Sequence, residues 1–220
     1  MLYKLQFGDL LPYWDLLLKG LLFTIVLTAV STAVGVALGT VFAALRSFGP
    51  AWARRLIGVY VELIRNTPFI VQLFFIFFGL PALGVKLSEA EAAFLAMVIN
   101  LGAYSTEIIR AGMQAVPHGH IEAGQSLAMT RIEILRYIVL KQAFAKVWPA
   151  LSSQIIIVML GSSVVSQISA EDLTYAANFI QSRNFRAFEV YLVSTLIYLT
   201  LAVCVRALLS GLGRQLFPKV

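Results

Sequence analysis

The sequence is poor in charge and has almost no cysteine. Charged residues make up 13% of its 220 residues and hydrophobic residues 60%, whereas an average soluble domain carries about 25% charged residues. The single cysteine, Cys204, excludes a disulfide framework, and its apolar surroundings predict a small core residue. No Gly-x-x-x-x-Gly-Lys-Ser/Thr segment occurs, so the chain lacks the phosphate-binding loop of an ATPase. This composition places the chain in a lipid bilayer.

Long apolar runs predict an all-α membrane protein with about five transmembrane helices. Residues 20–45 contain no charge, and at about 1.5 Å per residue this run exceeds a hydrocarbon core of about 30 Å. The other runs cover residues 56–83, 88–113, 147–168 and 190–209. At the start of the third run, Ser88 and Glu91 form a capping-box pattern, which predicts a helix start.

The distribution of basic residues predicts the orientation of these helices. A net charge of +6 would suggest a nucleic acid partner in a soluble protein, but here the basic residues flank apolar runs, so we expect no nucleic acid. One set of loops carries Arg46, Arg54, Arg55, Arg131, Arg136, Lys141, Lys146, Arg214 and Lys219. The other set carries Lys4, Lys19, Lys86, Arg183 and Arg186, mixed with acids. Because lysine and arginine concentrate in cytoplasmic loops, we expect the N-terminus outside and the C-terminus in the cytoplasm.

The connector of residues 117–146 is a structured basic segment on the predicted cytoplasmic side. Pro117 followed by Gly119 favours a helix start after a turn. Thr130 and Glu133 form a second capping-box pattern, ahead of apolar positions at helical spacing. We therefore predict two short helices that break near Thr130, the first of them amphipathic. Such a surface fits a cytoplasmic partner, although the pattern alone leaves open an interfacial helix with no partner.

This connector contains Glu122-Ala123-Gly124 and, further along, Ala128 and residues 138–140. These residues resemble the EAA loop of ABC-transporter permeases of the type I importer class. That family's pattern is Glu-Ala-Ala, three residues, Gly, nine residues, Ile, any residue and Leu-Pro. The spacing matches in full. The residue types differ at three positions, because Gly124 replaces the second alanine, Ala128 the glycine and Lys141 the proline.

Two further stretches resemble the polar amino acid uptake permeases, of the histidine, glutamine, arginine and opine type. One is Glu-Leu-Ile-Arg-Asn-Thr-Pro at residues 62–68, followed by Gln-Leu at 72–73. The other is Ala-Tyr-Ser-Thr-Glu-Ile-Ile-Arg-Ala-Gly at residues 103–112. The resemblance extends over residues 13–213. It departs at residues 160–161, where many relatives have a Lys-Asp or Lys-Asn pair and this chain has Leu-Gly.

The resemblance implies a type I ABC importer permease that carries a polar amino acid or derivative across the bacterial inner membrane. It implies one permease domain over residues 1–220, with a core of about 15–212 and a coupling-helix loop at 117–141. This loop would dock into a cytoplasmic ABC ATPase dimer that binds ATP and Mg, so this chain would bind no cofactor and would not be an enzyme. An extracytoplasmic substrate-binding protein, a second permease copy or paralogous permease, and membrane lipid would be further partners. The coupling residues would be Glu122, Ala123, Gly124, Ser126, Leu127, Ala128 and Met129.

Polar side chains inside the predicted spans are candidates for a substrate pathway, because an intramembrane charge costs about 2.5–3.5 kcal/mol on insertion scales. An amino acid needs acceptors for its ammonium group and donors for its carboxylate. The candidates are Glu62, Asn66, Thr67, Asn100, Thr106, Glu107, Ser162 and Ser163. Structural alternatives remain open, since Glu62 can pair with Arg65 and Glu107 with Arg110. The two serines also suit tight helix packing.

Two other classes of protein compete with a permease subunit. A secondary transporter driven by an ion gradient usually carries internal repeats and more spans. A membrane enzyme would need a nucleophile with its base, or a metal site. His118 and His120 alone are a weak metal pair and are better explained as surface histidines.

Residues 169–188 lie on the predicted outer side. The resemblance implies that this segment would meet the substrate-binding protein, and an ordinary solvated loop remains the alternative.

Overall fold

The computed structural model describes residues 5–217, which are almost entirely helical. Within these residues a 3-10 helix, Phe7–Tyr13, leads into eight helices: α1 Trp14–Phe48, α2 Ala51–Arg65, α3 Phe69–Ala82, α4 Glu89–Gln114, α5 His118–Ser126, α6 Arg131–Ile168, α7 Leu173–Asn184 and α8 Ala187–Leu216. The prediction of an all-α protein is confirmed. Lys4 and Lys219, two of the charges used to predict orientation, lie outside the described residues.

Among the described residues, four helices are long and apolar enough to cross a membrane: α1, α4, α6 and α8. Helices α2 and α3 pass the same test only together, as a bent pair that would be the fifth span. The sequence predicted one run at residues 56–83. Helix α2 ends instead at Arg65, because the ring of Pro68 disfavours a helical conformation at Thr67.

Helix α6 differs most from its prediction. The second short helix of the connector and the span at residues 147–168 are one helix, Arg131–Ile168, so the prediction of two short helices is wrong for the second. Its predicted capping box is confirmed, since Thr130 Oγ1 accepts a hydrogen bond from Glu133 N at 3.3 Å while Thr130 N donates to Glu133 Oε2 at 2.7 Å. Residues 131–147 contain no glycine or proline that would end a helix. The helix that starts at Arg131 therefore continues without a break into the apolar span.

The described residues divide into two compact units, the first made of residues 5–31, 69–97 and 156–205 and the second of residues 32–68, 98–155 and 206–217. The core of the first unit contains Leu10, Leu17, Leu173, Ala176, Ala177, Ile180 and Val190. At the start of α4, Ser88 N donates to Glu91 Oε2 at 2.8 Å and Glu91 N donates to Ser88 Oγ at 3.3 Å. The capping box predicted there is confirmed.

In the second unit, small residues allow α1 and α4 to pack closely. Gly35 and Gly39 of α1 form a glycine pair of the kind that brings membrane helices together. A Cβ atom on Gly39 would lie 2.5 Å from the Cβ of Ser105, so no larger residue fits. Tyr60 of α2 donates to the carbonyl of Ile99 at 2.6 Å and ties a third helix to this pair. This packing brings charged residues of α1, α2 and α4 together.

Cys204 is exposed on α8, so the prediction of a core residue is wrong. The physical reason is that lipid tails are as apolar as a protein core. An apolar run in a membrane helix therefore does not reveal which of its side chains face protein.

Candidate functional site

Helix α5 carries predicted coupling residues and ends in a strained turn. Ala128 adopts a φ of +56°, a left-handed conformation that costs a residue with a Cβ atom about 1 kcal/mol. The N–H of Ala128 donates to the carbonyl of Gln125 at 2.9 Å, and the N–H of Met129 donates to that of Gly124 at 3.1 Å. These bonds cap the helix. The EAA pattern has glycine at position 128, and glycine adopts this conformation without the penalty.

Gly124 faces the interior of the second unit. It is buried, and a Cβ atom there would lie 2.8 Å from Ile138 Cδ1 and 3.1 Å from Ile134 Cγ1. Glycine in place of the pattern's second alanine therefore lets α5 lie directly against the first turns of α6. Met129 is half-buried against the same apolar core. These two predicted coupling residues pack inside the chain and hold α5 in position.

The remaining predicted coupling residues are exposed and make up what we term the α5 surface: Glu122, Ala123, Ser126, Leu127 and Ala128. The side chain of Leu127 is 78% exposed at the end of the helix. Among the described residues, the Glu122 carboxylate forms no ion pair. Ser126 Oγ donates to the main-chain carbonyl of Glu122 at 3.0 Å. The surface thus offers a partner one apolar side chain and one uncompensated negative charge.

A polar cavity of about 400 Å³ lies in the second unit, where α1, α2 and α4 meet. We term it the charged cavity, and its lining consists of Arg46, Val61, Glu62, Arg65, Asn66, Tyr104, Glu107 and Arg110. It brings together three of the predicted pathway residues, Glu62, Asn66 and Glu107. The lining holds three guanidinium groups and two carboxylates, so arginine is in excess.

Glu107 is fully engaged inside this cavity. Arg110 Nη2 donates to Glu107 Oε2 at 2.8 Å, and Arg110 Nε donates to the same carboxylate at 3.2 Å. Arg46 Nη1, from the last turn of α1, donates to Glu107 Oε1. The ion pair between Glu107 and Arg110, which the sequence left open, is therefore present. Its third member is Arg46.

Glu62 and Arg65 behave differently. They lie one turn apart on α2 and are both exposed, but no ion pair joins them in the described structure. The Arg65 guanidinium lies over the Tyr104 ring, with 5.4 Å between its Cζ and the ring centroid. Asn66 Nδ2 donates to the main-chain carbonyl of Glu62 at 2.8 Å. The end of α2 thus presents a cation and an anion that form no ion pair with each other among the described residues.

Five predicted pathway residues lie outside the lining of the charged cavity: Thr67, Asn100, Thr106, Ser162 and Ser163. Thr106 is buried and donates to the carbonyl of Gly102 at 2.7 Å. In the first unit, Ser162 and Ser163 donate to main-chain carbonyls three residues earlier, at 2.7 and 2.9 Å. Hydroxyl groups bonded within their own helix suit packing. The sequence did not single out Arg46, whose charge could not be separated from the orientation signal of the loops.

The first unit contains a buried acid at the start of α7. Asp172 is fully buried, accepts a hydrogen bond from Tyr175 N at 2.8 Å and accepts another from the Tyr198 hydroxyl at 3.0 Å. The neighbouring Leu173 N donates to Thr24 Oγ1 of α1 at 3.2 Å. Burial raises the pKa of Asp172 to about 6, because loss of water disfavours the charged form. The Asp172 carboxylate thus joins α7 to α8, and the neighbouring Leu173 N–H joins α7 to α1 within the first unit.

No group of three His, Cys, Asp or Glu side chains in residues 5–217 is placed to hold a metal ion. His118 and His120 are both exposed, and His120 Nδ1 lies 2.8 Å from Gln142 Oε1. The position of both histidines on the surface agrees with the interpretation of them as surface residues.

Comparison with known proteins finds chains that are similar to this one over most of its length. Residues 35–217 match the family described as binding-protein-dependent transport system inner membrane component. The L-cystine transport system permease protein TcyB of Bacillus subtilis (strain 168) is 35% identical over 84% of this chain and 80% of its own length. The glutamine transport system permease protein GlnP of Escherichia coli (strain K12) is 34% identical over 78% of this chain and 79% of its own length.

Solved structures show the same similarity. A chain in the crystal structure of an amino acid ABC transporter with histidines superposes with a TM-score of 0.87 at 36% identity, covering 97% of this chain and 100% of that chain. A chain of the MetNI methionine ABC transporter in an inward-facing conformation gives a TM-score of 0.80 at 20% identity, covering 94% of this chain and 98% of that chain. The second match shows a shared fold.

Proposed function

This chain belongs to the family of binding-protein-dependent transport system inner membrane components, and we propose that it carries a polar amino acid or an amino acid derivative across the bacterial inner membrane. Its similarity to amino acid permease subunits supports a membrane subunit of an ABC importer. The same similarity supports this function over the alternative of a secondary transporter driven by an ion gradient.

The observation that carries the proposal is the α5 surface. It lies on a short helix that ends in a strained turn at Ala128. Gly124 of this helix packs against Ile134 and Ile138 at the start of span α6. We infer that a cytoplasmic ABC ATPase dimer receives this surface, with Leu127 filling an apolar site and Glu122 meeting a cation. ATP and Mg would bind to the ATPase. Because α5 is packed against α6 without room for a Cβ atom, movement of the ATPase would move the span with it.

The other proposed partners follow from the same importer assembly. An extracytoplasmic substrate-binding protein would deliver the amino acid and would meet residues 169–188, which include α7. A second permease copy or a paralogous permease would complete the route, because five spans are too few to enclose a polar path easily. The charged cavity is the proposed contact of this chain with the substrate, through Glu62 and Asn66.

The test is a charge reversal on the α5 surface. In the reconstituted importer, Glu122→Lys should lower substrate-stimulated ATP hydrolysis and amino acid uptake by at least about tenfold, because a repulsive charge at a docking surface opposes association. Glu89→Lys, an exposed acid in the first turn of α4, is the matched control and should leave both activities near wild type. Full substrate-stimulated ATP hydrolysis in the Glu122→Lys importer would remove Glu122 from the coupling role.

A further inference from the structure

The charged cavity contains two acid–base pairs of identical spacing and different state. Glu107 is bonded to Arg110 and Arg46, so its charge is already offset twice. Glu62 and Arg65 have the same separation along the chain but form no ion pair with each other in the described residues. Arg65 lies close enough to Glu107 for electrostatic attraction but forms no ion pair with it among the described residues. The cavity therefore offers one cation and one anion, from the same helix turn, that have no ion-pair partner in the described residues.

Arg65 is positioned rather than loose. Its guanidinium lies 5.4 Å from the centroid of the Tyr104 ring, a distance at which a cation is attracted to the face of an aromatic ring. The planar guanidinium presents parallel N–H groups that match the two oxygens of a carboxylate. A ring that fixes this plane leaves less side-chain freedom to lose when an anion binds. Glu107 and its partners surround the site with fixed charge.

Glu62 supplies the complementary group. Side chains three residues apart on a helix lie on the same face, about 5–6 Å apart at Cβ. An exposed carboxylate at this separation from Arg65 accepts hydrogen bonds from an ammonium group while the guanidinium donates to a carboxylate. Asn66, also in the lining, follows at the end of the helix. A free α-amino acid carries this combination of charges on two groups that are attached to the same carbon atom.

We propose that the charged cavity is a clamp for the charged head group of a free α-amino acid, in which Arg65 binds the α-carboxylate, Glu62 binds the α-ammonium and Tyr104 positions Arg65. This inference rests on the proposed function and narrows its substrate class. Recognition of both charges excludes N-acetylated amino acids and α-amides at this site. The amino acid side chain is left to the remaining volume of the cavity and to other subunits.

The test separates the membrane subunits from the binding protein, which has a selectivity of its own. Saturation-transfer NMR on the permease–ATPase complex without binding protein detects which of the twenty L-amino acids bind. The strongest binder is then compared with its N-acetyl and α-amide derivatives. The wild-type complex should bind the free amino acid at least about tenfold more tightly than either derivative, since a lost charge-assisted hydrogen bond is worth at least about one factor of ten.

The variants should lose this selectivity in a crossed pattern that misfolding cannot imitate. Glu62→Gln should stop discriminating against the N-acetyl derivative and keep its discrimination against the α-amide, whereas Arg65→Gln should do the reverse. Tyr104→Ala should weaken binding of the free amino acid about as Arg65→Gln does, and Tyr104→Phe should restore it. Arg55→Gln, an exposed arginine of α2 outside the cavity lining, should match wild type.

Uptake by the complete importer separates the two levels of the proposal. No uptake from a radiolabelled mixture of amino acids and amino acid derivatives by the wild-type importer would overturn the proposed function and the clamp with it. Uptake of derivatives that lack a free α-ammonium or α-carboxylate group, without uptake of free amino acids, would overturn the clamp alone. Uptake together with an unchanged selectivity of Glu62→Gln and Arg65→Gln would overturn the clamp alone. The absence of any bound amino acid in the wild-type permease–ATPase complex, despite uptake, would also overturn the clamp.

Discussion

Two segments of the sequence Glu-x-x-Arg give opposite results in the same cavity. On α4, Glu107 and Arg110 are joined at 2.8 Å, with side-chain exposures of 18% and 26%. On α2, Glu62 and Arg65 have the same spacing and stay apart, and both are exposed. Partial burial makes an unpaired charge costly, whereas an exposed pair gains little from contact. Equal spacing therefore does not imply an equal role. Groups that form no ion pair remain available to a ligand.

The same contrast sorts the acids of this chain into two groups. Glu107, Asp172 and Glu133 accept hydrogen bonds inside the chain. Glu62 and Glu122 form no ion pair among the described residues. The contrast predicts that changing Glu107 or Glu133 lowers stability, whereas changing Glu62 or Glu122 lowers function while stability stays close to wild type.

The largest expected effect on stability comes from Glu107→Gln. This change leaves Arg46 and Arg110 half-buried without a countercharge, so the free energy of unfolding should fall by about 2 kcal/mol. Glu62→Gln is the matched control and should change it by less than about 0.5 kcal/mol. Thermal denaturation in mild detergent measures both, and equal losses in the two variants would abolish the distinction between the segments.

Asp172 extends the comparison to an acid whose partners carry no charge. Its pKa of about 6 lies above the ordinary value of 3.8, so from pH 3.8 to 6 the unfolded chain loses the proton while the folded chain keeps it. The contribution of Asp172 to stability is therefore largest below pH 3.8 and is lost as the pH rises through 6. Between pH 4 and pH 7 the wild type should lose about 2 kcal/mol more than Asp172→Asn.

Thermal denaturation of both chains at several pH values measures this difference. The acids and histidines common to both chains contribute equally and cancel. Parallel curves for the two chains would show that Asp172 has an ordinary pKa in the folded protein.

The smallest expected effect comes from Glu133, a partnered acid that is exposed. Its carboxylate accepts hydrogen bonds from Thr130 N and Thr130 Oγ1 at 2.7 and 2.8 Å. Glu133→Ala removes half of this capping box and should lower the melting temperature slightly, by less than Glu107→Gln does. Glu171→Ala, an exposed acid outside the helices, is the control. A loss as large as that of Glu107→Gln would show that burial does not set the order.

Local signals in the sequence predicted local structure well. The two capping boxes are present because Ser88, Glu91, Thr130 and Glu133 interact only with their own helix turn. The spans follow from length and hydrophobicity. The break after Arg65 was not predicted, although its cause is local, because the ring of Pro68 disfavours a helical conformation at the residue before it.

Features that depend on packing between residues far apart in the chain could not be predicted from the sequence. Arg46 contacts Glu107, which lies 61 positions later in the chain, on two helices that pack closely at Gly39 and Ser105. Gly124 was expected to face a partner, but it faces Ile134 and Ile138. Periodicity describes one helix at a time, so it cannot show which face of α5 another segment of the same chain covers.

The proposed function requires that the α5 surface lies in the cytoplasm and contacts an ATPase. The most direct measurement is labelling of Leu127→Cys, in a chain with Cys204→Ser, by a membrane-impermeant maleimide in inverted and right-side-out vesicles. We expect the cysteine at position 127 to be labelled in inverted vesicles only, and to be protected from labelling when the ATPase subunit is present. Labelling in right-side-out vesicles would place the α5 surface on the outer side, where no cytoplasmic ATPase reaches it, and would contradict the account.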